Sequence, residues 1–450
     1  MSSMTCARIA LLLALALATL PPCAPVARGD DRCAGVLQDD VCAEATGSCP
    51  AVPPPLGPTA SAWPMFQHDV QHTGRSPHDG PTCPNVAWTR KLAGKILSAP
   101  ALGGSAEGDA LLVAAAKYPL CALDTATGDV RWCDAGQQGK LPDVSSPALG
   151  NGGLAYVGTR DNDFWAITVP PPAASQASVA WRQKICTDGD VSTSPILDDD
   201  GVVFMGSNSL AGGTLMAMCP GTERRVKWCV NPLGGTLRNV SPALSPAHDR
   251  LYVTYLGAVL VALDPASGAV LWRLPLQTQR NNLRSPNYTP VVHPVTGTIY
   301  VGLDGGLFAV DPGPLAGPPL PATTLLATRD TTRERIQSPP ALDVGRARLY
   351  VGASRGNRST FYAVGLDGTP VWSRTDLGHG RLRNTPPVID ASGRVYVALD
   401  RSVFALDPDD GHTLWRLDLA SRIASSPIVA PGRIYLGTTN STVVAIGDCP

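Results

Sequence analysis

Ala122-Leu123-Asp124-Thr125-Ala126-Thr127-Gly128-Asp129-Val130-Arg131-Trp132 is the stretch that decides how this chain folds. It recurs as Ala262-Leu263-Asp264-Pro265-Ala266-Ser267-Gly268 through Trp272, and as Ala405-Leu406-Asp407 through Gly411 and Trp415. In each copy the Asp can bond turn amides and the Gly supplies a positive φ, so two apolar strands are joined by a tight turn. The Trp, ten residues after the Ala, falls on the outer of the two strands. Degenerate copies exist: the unit around Leu325-Leu326-Ala327 has no Trp, and Ala363-Val364-Gly365 lacks the Asp at its usual place.

Outward from this turn, a Pro followed by a small or branched apolar residue recurs eight times, at Pro100, Pro147, Pro195, Pro242, Pro290, Pro340, Pro387 and Pro427. Successive intervals are 47, 48, 47, 48, 50, 47 and 40 residues. One unit reads as four strands: Ser146 to Leu149, Leu154 to Thr159, Phe164 to Val169 and Val179 to Gln183, with turns at 150–153 and 160–163. The second strands elsewhere (VVFMGS, RLYVTY, TIYVGL, RLYVGA, RVYVAL, RIYLGT) are β-branched and aromatic, with Gly where backbones crowd. Four strands per period make a propeller blade. The fold class is therefore all-β: an eight-bladed β-propeller of four-stranded antiparallel blades.

The repeated turn resembles the tryptophan-docking motif of quinoprotein alcohol dehydrogenases and related PQQ-like propellers, over residues 88–447. The resemblance implies that Trp88, Trp132, Trp181, Trp228, Trp272, Trp372 and Trp415 each wedge against the next blade. The last unit ends after its third strand, Thr442 to Ile446, so Asn85 to Thr89 with Trp88 should complete it and leave no free sheet edge. Cys83 and Cys449 then adjoin at the turn tip, and a Cys83–Cys449 disulfide is expected. Cys121–Cys133 and Cys219–Cys229 flank the same hairpin in two other units and are expected to pair. Cys33, Cys42, Cys49 and Cys186 have no connectivity that spacing can give.

Composition agrees with many strands and turns: 45 Gly, 43 Pro and only 16% charged residues. A net charge of -1 argues against nucleic acid or any polyanion held by bulk electrostatics. Arg8 followed by the apolar run Ile9 to Leu20 is too short to span a bilayer and fits a signal peptide over 1–29, with cleavage after Ala27 or Gly29. Leu20-Pro21-Pro22 before Cys23 is a poor lipidation signal. The twelve cysteines fit an oxidising compartment, and no C-x-x-C suggests a zinc ribbon. No later segment reads as a membrane span. Residues 30–62 read as a Cys- and Pro-rich linker or cap, and 63–84 as a lead-in to the propeller of 85–450. In the lead-in, His68, Asp69 and His72 have metal-ligand character, but Pro64 and Gly74 bracket a short capping turn in which such groups satisfy local backbone.

A site should lie at the channel mouth, where the crossovers between blades meet the turns between second and third strands. Aligning the residues four to six before each Pro gives Lys95, Asp143, Asp190, Arg238, Arg284, Arg335, Arg383 and Arg422, with Asn239, Asn287, Gln337 and Asn384 beside them. The turns add Lys117, Arg160, Asp161, Asn208, Asp304, Arg355, Asp400, Arg401 and Asn440. Two readings stand. The arginines on blades 4 to 8 form a basic arc for an anionic ligand or acidic partner segment, with Arg238, Asn239, Arg284, Arg335, Arg383, Asn384 and Arg422 as its binding residues. Or they pair with Asp143, Asp190, Asp304 and Asp400 and fill the channel. No Ser/His/Asp set stands out. The dehydrogenases the repeat resembles carry adjacent disulfide-bonded cysteines and a Glu, Asn and Asp on calcium. Here no Cys-Cys occurs and no Glu falls in a funnel position. The chain is closer in character to non-catalytic members such as the outer-membrane assembly propeller lipoprotein. The expectation is an exported, periplasmic, envelope-associated or secreted monomer. It would act as a binding or scaffold module without cofactor or metal, for an envelope or extracellular protein or a small anionic ligand. The alternative is a PQQ-dependent alcohol or sugar dehydrogenase with PQQ and calcium.

Overall fold

The computed structural model describes residues 45, 47–49, 62–105, 108–115, 117–133, 145–159, 163–170, 176–184, 191–207, 213–230, 237, 239–255, 257–276, 288–315, 317–328, 334–382 and 385–449. In them eight antiparallel sheets follow one another around an axis as the blades of a propeller, the first seven each entered at the innermost strand. Seven sheets have four strands and the sixth has five. Pro339 and Pro340 offer no amide to the ladder. They split that innermost strand into Arg335–Ile336 and Ala341–Asp343, both paired with Arg348–Arg355. Among the described residues the only helical piece is the 3₁₀ turn Asn151–Gly153, and no helix is long and apolar enough to cross a membrane.

Place within a blade decides strand composition. The second strands Leu251–Tyr255, Ile299–Leu303 and Val395–Leu399 are buried along their whole length, so they are continuous apolar runs. The outermost strands Val270–Pro275 and Thr413–Asp418 have one face to solvent, and in each only the Trp is buried.

That Trp joins blade to blade. Trp228 of blade 3 donates its Nε1–H to Pro265 O of blade 4 at 2.8 Å, and Trp372 of blade 6 donates to Pro408 O of blade 7 at 3.0 Å. Trp88 of blade 8 reaches Thr125 O of blade 1, and Trp181 of blade 2 reaches Gly221 O of blade 3, both at 3.0 Å. In three of these docks the acceptor follows the motif Asp and the ring lies on the motif Gly. Gly268 and Gly411 sit at φ 73° and 75°. A Cβ on Gly268 would come 2.7 Å from Trp228, and one on Gly411 2.6 Å from Trp372. Glycine is thus required twice, for the left-handed backbone and for the seat of the ring. Trp132 and Trp272 are buried in the same layer. At the dock of Trp272 the corresponding carbonyl, Pro312 O, accepts from Arg250 Nη1 at 3.1 Å, and the indole N–H has no partner among the described residues.

The two degenerate motif copies prove to be the two halves of one interface. Blade 5 buries Leu325 instead of a Trp, and Gly368 in the Asp-poor turn of blade 6 faces the Leu325 backbone, its would-be Cβ 3.3 Å from Leu325 O. The residue before each Pro also has an interblade role. Ala99 N donates to Ser146 Oγ, Ser146 N to Ser194 Oγ, Ser194 N to Ser241 Oγ and Ser241 N to Thr289 Oγ1, at 2.9–3.0 Å. These bonds lace blades 1 to 5 around the axis. Pro339 and Pro386, with neither amide N–H nor hydroxyl, end the series.

The ring closes in blade 8, where Pro84–Lys91 pairs antiparallel with Thr442–Asp448 and Trp88 faces Ala445. Cys83 and Cys449 are disulfide-bonded, and Asp448 Oδ1 accepts from Thr82 N and Cys83 N at 2.7 and 3.1 Å. Trp415 of blade 7 docks on this composite turn through Pro81 O at 3.0 Å. Cys121 and Cys133, opposite each other across the hairpin, are also bonded. The expected Cys219–Cys229 bond is not made. Cys219 pairs with Cys49 of the segment before the ring, and Cys229 is disulfide-bonded elsewhere. The register explains this: Cys229 faces Met216, whereas Cys219 lies past the strand end at the turn. The Cys49 segment lies on the outer edge of blade 3, where Gly47 N donates to Lys227 O at 3.0 Å.

Residues 63–79 do more than lead in, for they curl inside the ring against the innermost strands. Trp63 bridges to Leu102 of blade 1. Pro64 O accepts from Leu149 N, Val70 O from Leu244 N, Gln71 O from Val292 N, Thr73 O from Leu342 N and Gly74 O from Ile389 N, all at 2.8–2.9 Å. Ser76 Oγ donates to Val429 O of blade 8 at 3.1 Å. The segment thus makes one circuit of the axis in blade order. Left-handed residues Gln67, His68, His72 and Gly74 permit so tight a curl. Asp69 Oδ1 accepts from Gln71 N and Thr73 N, the capping turn expected for this stretch. Arg75 fixes the exit by reaching the buried Asp343 at 2.6 Å and Ala391 O at 3.1 Å.

His72 lies fully buried in this plug, its Nδ1 3.2 Å from Pro290 O and its ring edge-on to Phe66. Burial pushes its pKa down to about 4, against the opposing pull of the Pro290 carbonyl and Asp69. The folded value lies below the ordinary one near 6.5, so the unfolded chain binds more protons between them. The neutral ring's contribution is complete above pH ~6.5 and declines as pH falls toward ~4, by about 3 kcal/mol in all. Denaturant midpoints should therefore fall across this window, and His72→Gln should flatten that part of the profile. An unchanged slope in the variant would remove His72 as the cause.

Candidate functional site at the channel mouth

The plug closes the end of the channel where the one-two turns lie, which leaves the crossover end as the mouth. There each crossover is laid against a two-three turn. Ile423 N donates to Asp400 O and Leu419 N to Arg401 O, both at 2.7 Å; Gly380 N donates to Asn357 O at 3.0 Å; Thr439 N donates to Arg422 O at 2.9 Å. These backbone bonds bring side chains from distant sequence onto one face.

Of the proposed binding residues, Asn239, Arg335 and Arg422 are placed. Arg238, Arg284, Arg383 and Asn384 lie outside the described residues, as do Asp143 and Asp190. Arg422 Nε donates to Asp400 Oδ1 at 2.6 Å, and Arg335 stands 3.9 Å from Asp304. Both arginines keep at least half of their side-chain surface in solvent. Asn239, half-buried with a left-handed backbone, gives its amide to Ser192 Oγ at 3.3 Å. The basic arc and the pairing with aspartates thus coexist where the residues are described: two arginines are held by carboxylates yet still face water. Lys95, Arg355, Arg381, Arg401 and Arg422 leave this side of blades 6 to 8 and 1 cationic and exposed.

Asp304, on the two-three turn of blade 5, is largely enclosed. Its Oδ1 is buried without a hydrogen-bond partner among the described residues. Burial raises its pKa, with Arg335 opposing. Behind it Tyr288, itself buried, has its phenol held protonated by burial and by the Asp304 charge. Sequence alignment missed Tyr288, although it is the one large side chain at a position that is elsewhere Ser, Thr or Val. A separate cluster, Asp407, Asp410 and His412, has metal-ligand character but sits on the blade 7 docking turn. Its carboxylates already accept the amides of Asp409 and His412.

Residues 84–170, 145–364 and 357–447 match the family described as outer membrane protein assembly factor BamB. The BamB of Yersinia pestis is 24% identical over 361 residues, covering 75% of this chain and 82% of that protein. Among solved structures, the quinohemoprotein alcohol dehydrogenase of Comamonas testosteroni superposes with a TM-score of 0.66 at 15% identity, covering 86% of this chain and 80% of that one. The BamB of Moraxella catarrhalis superposes at 0.56 with 16% identity, covering 81% and 97%. At such identities the two superpositions speak for the propeller alone, but the match that runs from the first outer strand to the last is decisive: this chain belongs to the BamB family of PQQ-like β-propellers.

Proposed function

We propose that the protein is an exported, non-catalytic binding propeller of the cell envelope that takes an acidic segment of a protein partner at its channel mouth. The observation that carries this reading is the cationic crossover face of blades 6 to 8, on a ring that matches an assembly-factor family from end to end. Exposed arginines around a concave mouth suit carboxylates, which they bind in bidentate fashion.

A quinone with calcium fits the described residues poorly. Calcium wants six to eight oxygen ligands. The mouth's described carboxylates include a glutamate that the aligned positions did not predict: Glu334, in the crossover to blade 6, accepts from the hydroxyls of Thr360 and Tyr362. Asp163 meets Arg182, while Asp304 and Asp400, on other blades, are each turned toward an arginine of their own crossover. That donor set favours the cofactor-free reading.

The test titrates the oxidised protein with PQQ plus calcium, and separately with a labelled peptide of alternating Glu and Gly. The peptide should bind saturably, weaken with salt, and lose about tenfold in affinity in Arg401→Glu/Arg422→Glu. Saturable PQQ binding that disappears in Arg383→Ala/Arg422→Ala would overturn the proposal and favour a dehydrogenase.

A further inference from the structure

The opposite face, formed by the one-two and three-four turns, has a different chemistry. Its most exposed large apolar side chains are Val295 at 77%, Leu315 at 54% and Leu320 at 54%, the highest values among the described residues. All three belong to blade 5. Val295 is in the turn after the innermost strand, and the leucines are in the loop between Gly306–Val310 and Thr323–Ala327. This loop replaces the short docking turn with Pro312-Gly313-Pro314-Leu315-Ala316-Gly317-Pro318-Pro319-Leu320-Pro321, which contains no charged residue.

The loop is a built ridge. Leu320 N donates to Asp311 O and Gly317 N to Pro314 O, both at 3.0 Å. Arg250 Nη1 clamps its base through Pro312 O and Gly313 O at 3.1 and 3.0 Å. Five prolines limit the entropy left to lose on binding. The ridge adjoins the neighbouring turns, since a Cβ on Gly297 would lie 3.7 Å from Pro312 and 3.8 Å from Pro246.

Pro246 also borders a cleft of about 410 Å³ between the turns of blades 3 and 4, lined by Asp198, Asp199, Asp200, Lys227 and His248. Three carboxylates there face one lysine and one histidine. Asp199 is 95% exposed and 3.4 Å from His248. Burial holds Asp198 above the ordinary carboxylate range, and the charge of Asp200 adds to the shift. A cation entering the cleft would offset the repulsion between these carboxylates. An uncharged proline ridge beside an acidic cleft selects a ligand that is apolar at one point and basic at the next.

We infer that the turn face of blades 3 to 5 is a second docking surface, for a partner-protein segment bearing an aromatic side chain flanked by arginine or lysine. The ring packs on the prolines and leucines of the ridge, as aromatic side chains do on proline-rich segments, and the cation enters the Asp198–Asp200 cleft. This surface is independent of the mouth.

The probe is a labelled eleven-residue peptide with one central Trp between two Arg on a Gly/Ser background. Controls carry Glu for both Arg, or Ala for Trp. Anisotropy with the oxidised full chain should show saturable binding of the Arg-Trp peptide and at least about tenfold weaker binding of either control. Leu315→Glu/Leu320→Glu and Asp199→Lys/Asp200→Lys should each weaken it by a similar factor. These positions are exposed, so circular dichroism and melting of the variants should match the parent. Arg401→Glu/Arg422→Glu, on the other face, should leave this binding intact while impairing the acidic peptide. The inference fails if the Arg-Trp peptide does not saturate in the millimolar range, if both turn-face variants bind it as the parent does, or if the mouth variant abolishes it. It fails equally if sedimentation shows a dimer that Leu315→Glu/Leu320→Glu dissolves, which would make a second copy the occupant.

Discussion

Removing the ring-closing disulfide with Cys83→Ser/Cys449→Ser is expected to cost up to about 6 kcal/mol, the largest loss from any disulfide among the described residues. The bond joins residues 366 apart, whereas Cys121–Cys133 spans 12. In the chain-entropy treatment that difference in loop length alone is worth about 3 kcal/mol in favour of the longer loop. The fold should survive the change. Pro84–Lys91 keeps its pairing with Thr442–Asp448, Asp448 still receives the amides of Thr82 and Cys83, and Trp88 and Trp415 remain docked. What changes is the first step of unfolding, which becomes the peeling of 84–91 from blade 8. Guanidinium chloride midpoints of the two double-serine variants, with amide exchange read over 84–91, check this. Equal losses from the two pairs would show that the closing strand is held by its ladder and docks rather than by chain connectivity.

What could be read from the sequence, and what could not, divides by the kind of bond involved. The docking turn was legible because each of its residues acts locally. Asp264 binds the amide of Ala266, Gly268 turns the backbone left-handed, and Trp272 is buried on an outer strand. The closing strand followed from the same register. The Cys219–Cys229 pairing failed because spacing alone cannot locate the turn tip, and Cys229 falls opposite Met216 instead. The plug escaped notice because it is held through backbone carbonyls such as Val70 O and Gln71 O, which bond alike whatever the side chain. Its short capping turn around Asp69 was readable, and its circuit of the axis was not. At the mouth, aligned positions gave the charges, but Arg422 meets Asp400 only because the crossover is laid on the turn. The two weak repeats, separate irregularities along the sequence, become one fact once Leu325 is seen against Gly368.

That interface supplies the control for the second large effect, at the dock between blades 3 and 4. Trp228→Ala is expected to cost about 3–5 kcal/mol, from lost burial and the cavity left behind. It also removes the 2.8 Å bond to Pro265 O. Gly268→Ala should cost nearly as much, although it deletes nothing. Its methyl must be held at φ 73° and would stand 2.7 Å from Trp228 Cε3, so the indole has to leave its seat. With Trp228 already Ala, the same Gly268→Ala change should cost only the left-handed strain, about 1–2 kcal/mol. The coupling energy of the cycle is then on the order of 2–3 kcal/mol. Gly368→Ala in blade 6 meets no indole, only Leu325 O at 3.3 Å, at φ 88°. It should therefore match the small value, not the large one. If Gly268→Ala instead costs the same whether or not Trp228 is present, the glycine serves its turn alone. The recurrence of Gly and Trp together would then need a cause other than the contact between them.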